Sequence, residues 1–257
     1  MKIKLIQLVD AELEVQLLVR DIRNEDNVRK WMYTDHLITS NEHLEWVNKV
    51  KHDPRQEVFI VMADKTPLGI VSINSIDEKH KKADWAYYLT ETARGGLGAC
   101  LEYAIIDFAF NRKSIEKLNC EVIEGNDAVI KLHKKFAFED EGFRKSNIVK
   151  GQDRLGVHYL GLTKQSWEEH KNAIKEKYSS IFDKFNIEIC WNDPNSRDSN
   201  PIDEIQSARA KNNLNWMSIL RLALEKSPKT ATPIIADIKR LDREISNLTD
   251  KLAPDDE

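Results

Sequence analysis

The chain has 257 residues, which suits one large domain or a medium domain with an appendix. Its 39 Lys and Arg residues and 43 Asp and Glu residues give a net charge of -4, and no basic tract could follow a phosphate backbone, so nucleic acid is not expected as the main partner. No run approaches the roughly 20 apolar residues of a membrane span, and the start turns acidic before a signal-peptide core could form, so we expect a soluble, cytoplasmic protein with no membrane partner.

The N-terminal part of the chain predicts a strand followed by helices. The strand is expected over MKIKLIQLV, and Asp10 is a candidate cap for a helix that extends to about Asn24. Another helix is expected over TSNEHLEWVNKVKHD, because its apolar residues recur at helical spacing, with Ser40 as a partial capping signal.

The middle of the chain predicts a mostly antiparallel sheet. Three strand-like runs are joined by short turn-rich pieces, which favour an antiparallel meander: EVFIVMA, PLGIVSINSI and ADWAYYLT. After them come a helix to about Arg112, the strand KLNCEVI, a helix from Asn126 to about Phe136, and strands around FRKSNIVK and RLGVHYLGLT. We therefore predict an α/β domain, of the α+β kind, over residues 1–165, with a mixed, mostly antiparallel sheet flanked by helices.

The rest of the chain has a different character. Residues 166–200 are interpreted as a connecting helix and a polar linker that includes WNDPNSRDSNP. Over residues 201–257, apolar residues alternate at spacings of four and three, as in a helix that packs on an apolar partner: Ile234, Ile238, Leu241, Ile245, Leu248 and Leu252. We expect a helical hairpin with the preceding segment. Alternatively, Trp216 and Met217 dock on another chain, which would produce a homodimer or a complex with a partner protein.

The cysteines do not suggest a metal site or a redox centre. Cys100, Cys120 and Cys190 are widely spaced, and no CxxC pair is present. We interpret them as reduced packing residues and expect no metal.

The stretch TETARGGLGACLEYAIIDFAF, from Thr90 to Phe110, places glycines between a strand and a long apolar helix. Such a junction directs several backbone N–H groups and the positive end of the helix dipole to one place, where phosphate binds. Gly96 and Gly98 let the main chain approach a pyrophosphate, and Arg94 adds a charge-assisted contact. The alternative is an ordinary strand-to-helix turn, and the antiparallel strands before it do not fit a Rossmann unit.

A second pattern lies in NDAVIKLHKKFAFEDEGF. Asn126 is a candidate helix cap, and His133 follows seven residues later, which returns it to the same helix face roughly 10 Å along the axis. The two side chains are therefore expected to line one extended ligand.

Together these patterns resemble the GCN5-related N-acetyltransferase (GNAT) superfamily over residues 1–165. The coenzyme turn of that family, [Q/R]-x-x-G-x-[G/A], corresponds to Ala93–Gly98, with Ala93 in the first basic position. Its later motif, N-x-x-A-x-x-L-Y-x-K-x-G-F, lies over Asn126–Phe138, where His133 replaces the usual tyrosine and Ala137 the usual glycine.

The resemblance implies acetyl-CoA as cosubstrate and direct attack of an amine on its thioester. It places the coenzyme against Leu89, Arg94, Gly95, Gly96, Leu97, Gly98 and Asn126. His133 becomes the candidate acid that protonates the CoA thiolate, unless the thiolate leaves unaided and His133 only packs. Tyr88 is the second catalytic candidate, next to a backbone N–H near Tyr88 to Leu89 that would stabilise the oxyanion. The base is not identified, although His80, Asp84 and Tyr88 occupy plausible strand positions.

The segment IRNEDNVRKWMYTDHLITSNEHLEWV more narrowly resembles the N-acetyltransferases of the pseudaminic acid pathway. These enzymes acetylate the 4-amino group of a UDP-linked 4-amino-4,6-dideoxy sugar for flagellin glycosylation. The resemblance implies a small-molecule UDP-amino-sugar partner and substrate contacts from Arg23, Met32, Tyr33, His43 and Tyr88. The structural alternatives are core packing for Met32 and His43 and a surface ion pair for Arg23.

Two other functions stay open. One is a GNAT enzyme that acetylates protein N-termini or lysines, which a wide acidic groove would favour. The other is a non-catalytic CoA-binding scaffold that acts through the C-terminal helices, and His133 in place of tyrosine is the feature that favours it.

Overall fold

The computed structural model describes residues 1–93, 95–191, 219–237 and 240. The helices up to residue 191 are α1 (Leu13–Asn24), α2 (Asp26–Arg29), α3 (Ser40–His52), α4 (Leu97–Asn111), α5 (Asp127–Lys135), α6 (Lys164–Lys177) and α7 (Ser179–Phe182). The strands are β1 (Lys2–Gln7), β2 (Glu57–Ala63), β3 (Thr66–Asp77), β4 (Lys82–Leu89), β5 (Lys117–Ile123), β6 (Glu139–Lys150), β7 (Asp153–Thr163) and β8 (Asn186–Cys190).

The strands of the described part form one sheet in the order β6-β7-β5-β4-β3-β2-β1-β8. β4 pairs in parallel with β5, and β1 with β8, while the other neighbours are antiparallel. β2, β3 and β4 form the predicted meander, because short turns can join only antiparallel strands. The predicted mixed, mostly antiparallel sheet flanked by helices is confirmed.

Helices cover the sheet on both faces. Trp85 of β4 lies in the larger cluster of buried apolar side chains, together with Leu101 of α4 and Trp167 of α6. Tyr88 packs against the smaller cluster, which includes Val19 of α1 and Val47 of α3. Because neighbouring side chains of a strand alternate between faces, Trp85 and Tyr88 mark the two faces of β4.

The parallel pair β4–β5 separates part-way along its length. The paired register covers Lys82–Asp84 and Lys117–Asn119, while β4 continues to Leu89 and β5 to Ile123. β4 stays paired with β3 as far as Leu89, so the gap opens on its β5 side only. Backbone polar groups along this edge need partners other than β5, which makes the gap a candidate binding site.

The first helix starts later than predicted. Leu8–Asp10 forms a 3₁₀ turn that buries Leu8, and α1 begins at Leu13 with Glu12 as its N-cap residue. The prediction that Asp10 caps this helix is therefore wrong, because burial of Leu8 requires a tight turn before the helix can start.

A capping box sets the start of α3. Oγ1 of Thr39 accepts a hydrogen bond from the Glu42 N–H, and the Glu42 carboxylate accepts one from the Thr39 N–H. The cap is thus Thr39 with Glu42, not Ser40, since the glutamate at the third helical position completes the reciprocal pair.

The residues after β7 join the same compact unit as the sheet, which spans Met1–Asn192 and so extends past the boundary predicted at residue 165. The fully buried Trp167 attaches α6 to the larger core. β8, which was not predicted, pairs in parallel with β1 over Lys2–Ile6. With only five residues, NIEIC, this edge strand gives a weak sequence signal.

The second compact unit is Asp193–Glu257. Its residues 219–226 and 228–237 are helical, and Pro228 stands in the first turn, where a helix tolerates its missing N–H. Ile234 of the predicted apolar seam lies in the second of these helices, whereas the other seam residues, Trp216 and Met217 lie outside the described residues. The helical hairpin stays a prediction. No helix in the described ranges is long and apolar enough to cross a bilayer.

Candidate active site

The glycine turn after β4 has the left-handed backbone that glycine permits. φ is 85° at Gly95 and 97° at Gly96, and α4 begins at Leu97 with Gly96 as its N-cap residue. The first N–H groups of a helix have no acceptor within it and lie at the positive end of its dipole. This geometry fits a diphosphate group. Arg94, which was predicted to add a cation here, lies outside the described residues.

The protein itself fills the space next to two of these glycines. A Cβ on Gly96 would lie 2.5 Å from Cγ2 of Ile181 in α7, and a Cβ on Gly98 would lie 3.3 Å from the hydroxyl oxygen of Tyr87. The positive φ and the packing of α7 therefore account for glycine at position 96. Contact between the backbone amides of the turn and the coenzyme stays a prediction.

Glu25 ties the end of β4 to the start of α2. The hydroxyl of Thr90 donates a hydrogen bond to Oε1 of Glu25 at 2.7 Å, and the Glu91 N–H donates to Oε2 at 3.1 Å. This cross-link holds the strand end just before the glycine turn. No sequence motif pointed to Glu25, because its partners are distant in the chain.

His133 lies on α5 and is buried against β4 and α4. It is 4% exposed, and its Nδ1 lies 2.8 Å from Oε1 of Glu102. Its ring contacts Trp85 and Phe138, with centroid distances of 5.3 and 5.4 Å. Asn126 takes the N-cap position of α5, is only partly buried, and makes no side-chain cap hydrogen bond. Of the two residues that were predicted to line the ligand, His133 is therefore buried and Asn126 is partly exposed.

Glu102, the partner of His133, was not singled out in the sequence. It is fully buried in α4, and its Oε2 has no hydrogen-bond partner within the described part of the chain. Burial raises the pKa of this carboxyl, and the hydrogen bond with His133 opposes that shift. The carboxyl and the imidazole therefore form one buried hydrogen bond beside β4.

On the opposite face of β4, Arg23 lies beside Tyr88. Nη2 of Arg23 donates to the carbonyl and hydroxyl oxygens of Thr34, both at 3.0 Å. Among the residues that the structure describes, its Nη1 is buried with no hydrogen-bond partner. Burial lowers the pKa of Arg23 and raises that of Tyr88, and the charge of Arg23 opposes the shift of Tyr88. The structure brings these two predicted substrate residues together.

Tyr33 reaches from the segment after α2 to β5. Its hydroxyl donates a hydrogen bond to Glu121, and burial together with this bond raises the pKa of Tyr33. Glu121 was not among the predicted site residues. The signal was present in strand alternation, because a carboxylate between the buried residues Cys120 and Val122 must point to the opposite face of the sheet.

A family model settles what kind of protein this is. The acetyltransferase (GNAT) domain matches residues 3–139, more than half of the chain. This chain belongs to the GNAT acetyltransferases. It is an acetyl-CoA-dependent N-acetyltransferase, and the predicted cosubstrate is confirmed. The glycine turn and the β4–β5 gap are compatible with this coenzyme, which supplies an acyl group as a thioester.

Curated relatives of this GNAT enzyme are named as acetyltransferases. The spermidine N(1)-acetyltransferase of Escherichia coli K12 is 23% identical over 168 residues, covering 65% of this chain and 90% of that protein. The acetyltransferase PseH of Campylobacter jejuni is 26% identical over 134 residues, covering 51% and 82%. At these identities the comparison supports acetyl transfer but does not identify the acceptor.

Solved structures support the same fold. The spermidine N-acetyltransferase of Vibrio cholerae, determined with CoA and spermine, superposes with a TM-score of 0.60 at 19% identity and covers 65% of this chain and 98% of that one.

His43 and Met32, two further predicted substrate residues of this GNAT enzyme, differ in their burial. His43 is 3% exposed in α3 and packs its ring against Trp46 at 5.4 Å, and burial lowers its pKa. His43 therefore has the burial of a core residue, and core packing was the alternative given for it. Met32 is partly buried in the segment after α2.

The candidate bases separate along β4. His80 is exposed in the β3–β4 turn, at the opposite end of β4 from Tyr88. Asp84 lies where β4 and β5 separate, and its Oδ1 accepts a hydrogen bond from Nδ2 of Asn119 at 3.1 Å. Of the two, only Asp84 is placed beside the gap.

Proposed function

We propose that this GNAT enzyme transfers the acetyl group of acetyl-CoA to the 4-amino group of a UDP-linked 4-amino-4,6-dideoxy-N-acetylhexosamine, in a pathway of the pseudaminic acid type. The similarity to a relative named PseH supports the proposal, as does the resemblance of the segment around α2 to that enzyme family. A substrate of this kind carries both a diphosphate and an amine, so its site needs cations as well as a group that binds an amine.

A cluster of cations around α2 carries the proposal. Arg23 keeps a buried Nη1 without a partner in the described ranges. The ammonium of Lys150 donates hydrogen bonds to the carbonyl oxygens of Arg29 and Lys30, at 3.1 and 2.9 Å. Burial, and then the charges of Arg23 and Arg29, lower the pKa of Lys150 although Asp35 opposes them. A diphosphate would neutralise this cluster through charge-assisted hydrogen bonds.

A polyamine is the second candidate acceptor. Asp84 and Glu121 place carboxylates at the β4–β5 gap, and two of the matched proteins are named as acting on spermidine. A polyamine carries only positive charge, however, and although Arg29 already pairs with Asp26, the cations Arg23 and Lys150 would oppose its binding near α2. The cations therefore favour an acceptor with an anionic part.

Each step of the acetyl transfer is assigned to particular residues of the chain. Backbone amides of Gly95 to Gly98 hold the diphosphate of the coenzyme, and a backbone N–H of β4 near Tyr88 stabilises the oxyanion of the tetrahedral intermediate. The acceptor nitrogen attacks the thioester carbon, the N–C bond forms, the C–S bond breaks, and the nitrogen gives up one N–H proton to a base. His133, paired with Glu102, gives a proton to the departing thiolate.

Thiol release in the presence of acetyl-CoA tests the proposal. The UDP-4-amino sugar, spermidine and a peptide with a free N-terminus are offered in parallel, and we expect turnover with the sugar nucleotide. Arg23→Gln should raise KM for the sugar nucleotide by about 10-fold or more, since it removes a charge-assisted contact. Arg20→Gln, in the same helix, is the matched control and should leave KM within twofold. Turnover of spermidine alone would reject the sugar.

A further inference from the structure

Glu121 is a carboxylate at the mouth of the gap between β4 and β5. It lies two residues beyond Asn119, the last residue of β5 that pairs with β4. Its neighbours Cys120 and Val122 are buried in the larger core, so the exposed Glu121 faces the other side of the sheet. That is the face on which Tyr88 and Arg23 meet.

The surroundings of Glu121 form a wall built from three parts of the chain. Tyr33 donates its hydroxyl hydrogen to Glu121. The ring of Trp31 lies 4.0 Å from where a Cβ on Gly125 would be, so the segment after α2 packs along the end of β5. On the far side, Tyr159 of β7 pairs in register with Glu121, and the guanidinium of Arg144 lies 4.4 Å from the centre of the Tyr159 ring.

His133 and Glu121 approach the gap from opposite faces. His133 belongs to the face of Trp85, α4 and α5, and Glu121 to the face of Tyr88. A thioester that passes between the two strands would present its sulfur to one side and the back of its carbonyl carbon to the other. Direct attack by an amine uses a base for the amine proton and an acid for the departing thiolate.

We propose that Glu121, held by Tyr33, binds the acceptor amine of this acetyltransferase and accepts its proton. The ammonium of the acceptor binds the carboxylate and passes one N–H proton to Glu121, and the freed lone pair forms the N–C bond as the C–S bond breaks. The nitrogen then gives a second N–H proton to water, and a proton from His133 converts the departing thiolate to a thiol, so one proton is released overall and charge and atoms balance. The proposal rests on the proposed acetyl transfer to an amine, whichever amine is the acceptor.

Asp84 is the competing carboxylate, and its position makes it the weaker candidate. It lies in the part of β4 that is still paired with β5, and the amide of Asn119 engages its Oδ1. Glu121 instead lies past the point of separation, and its partners are the hydroxyl groups of Tyr33 and Tyr159, whose O–H bonds can turn toward other acceptors.

The test compares Glu121→Gln with Glu141→Gln, an exposed carboxylate on β6 that pairs with Lys117. Thiol release is measured from pH 6 to 10 with the sugar nucleotide, spermidine and the peptide, and acetyl-CoA affinity is measured by calorimetry. We expect Glu121→Gln to lower kcat/KM at pH 7 by about 100-fold or more, the lower end for loss of an acid–base group. The loss should shrink at high pH, where the amine deprotonates by itself, and acetyl-CoA affinity should stay within twofold. Tyr33→Phe should cause a smaller loss.

Each outcome decides the proposal. A kcat/KM of Glu121→Gln within twofold of wild type, or a loss no larger than that of Glu141→Gln, overturns the role of Glu121. A loss that does not change with pH overturns proton acceptance. If wild type acetylates spermidine and not the sugar, the sugar assignment fails while Glu121 is judged on spermidine. If wild type releases thiol with no amine at all, both proposals are overturned.

Discussion

The Glu102–His133 pair shows what single residues reveal about the site. Helical spacing places Glu102 on the same face of α4 as Ala99, Ile105 and Ile106, all of which are buried. A carboxylate on a buried face needs a partner, so the sequence could have predicted that Glu102 is paired. It could not name His133, because the two residues meet only when α4 and α5 pack on the same face of the sheet.

A single and a double variant distinguish the contribution of the pair to stability from its contribution to catalysis. His133→Phe alone leaves Glu102 buried without a partner and should lower the free energy of unfolding by about 1–3 kcal/mol. Adding Glu102→Met should recover most of that loss, because both polar partners are then replaced by apolar groups. Urea unfolding measures both variants. The double variant should still bind acetyl-CoA with a lowered kcat, and an unchanged kcat would reject His133 as the acid.

The thiols give a second prediction for single residues. Cys100 and Cys120 are buried and Cys190 is exposed. Burial raises the pKa of the Cys100 thiol to about 11 and that of Cys120 well above its usual range. Since only the thiolate reacts, iodoacetamide at pH 8 should modify Cys190 in the native protein and the other two only after denaturation. Peptide mass spectrometry reads the sites, and rapid native labelling of Cys100 would contradict its burial.

At the level of elements, the start of α3 depends on Thr39. Thr39→Ala removes the hydroxyl that accepts from the Glu42 N–H and should lower the free energy of unfolding by about 1 kcal/mol. Ser40→Ala leaves the capping box in place and is the matched control. Urea unfolding of the two variants side by side measures the difference, and equal losses would mean that the capping box does not stabilise the helix.

The start of α4 depends on α7. Gly96→Ala forces alanine to a φ of 97° and brings a Cβ to 2.5 Å from Cγ2 of Ile181. The left-handed backbone alone should cost about 1–2 kcal/mol. Ile181→Ala in the Gly96→Ala background should recover the part due to the clash and leave the backbone part. Calorimetry should show weaker acetyl-CoA binding for Gly96→Ala, and unchanged affinity would argue that the amides of the turn do not hold the coenzyme.

Strong local patterns explain which elements could be predicted. β2, β3 and β4 have long apolar runs with short turns between them, and the motif around α5 has fixed spacing, so both could be recognised in the sequence. β8 could not, because five edge residues carry little periodicity. The role of Gly96 could be predicted only in part, since the residue that fills its side-chain space, Ile181, comes from an element far along the chain.

At the level of the whole molecule, the catalytic unit is larger than the family domain. The family model covers residues 3–139, yet the compact unit runs to Asn192. α7 packs on the glycine turn through Ile181, Trp167 fills the larger core, and β8 extends the sheet beyond β1. Residues 166–192 were predicted to be a connection, because no sequence motif relates them to the glycine turn.

Shortened chains test that conclusion. A chain of residues 1–192 should unfold cooperatively and bind acetyl-CoA as the full chain does, because it keeps the whole compact unit. A chain of residues 1–163 loses α6, α7 and β8 and should be destabilised by at least about 3–5 kcal/mol, the usual cost of removing one buried tryptophan. Trp167→Ala in the full chain is the matched control for that core contact. Thermal unfolding and calorimetry measure both properties, and equal stability of the two shortened chains would show that the family domain is sufficient without its extension.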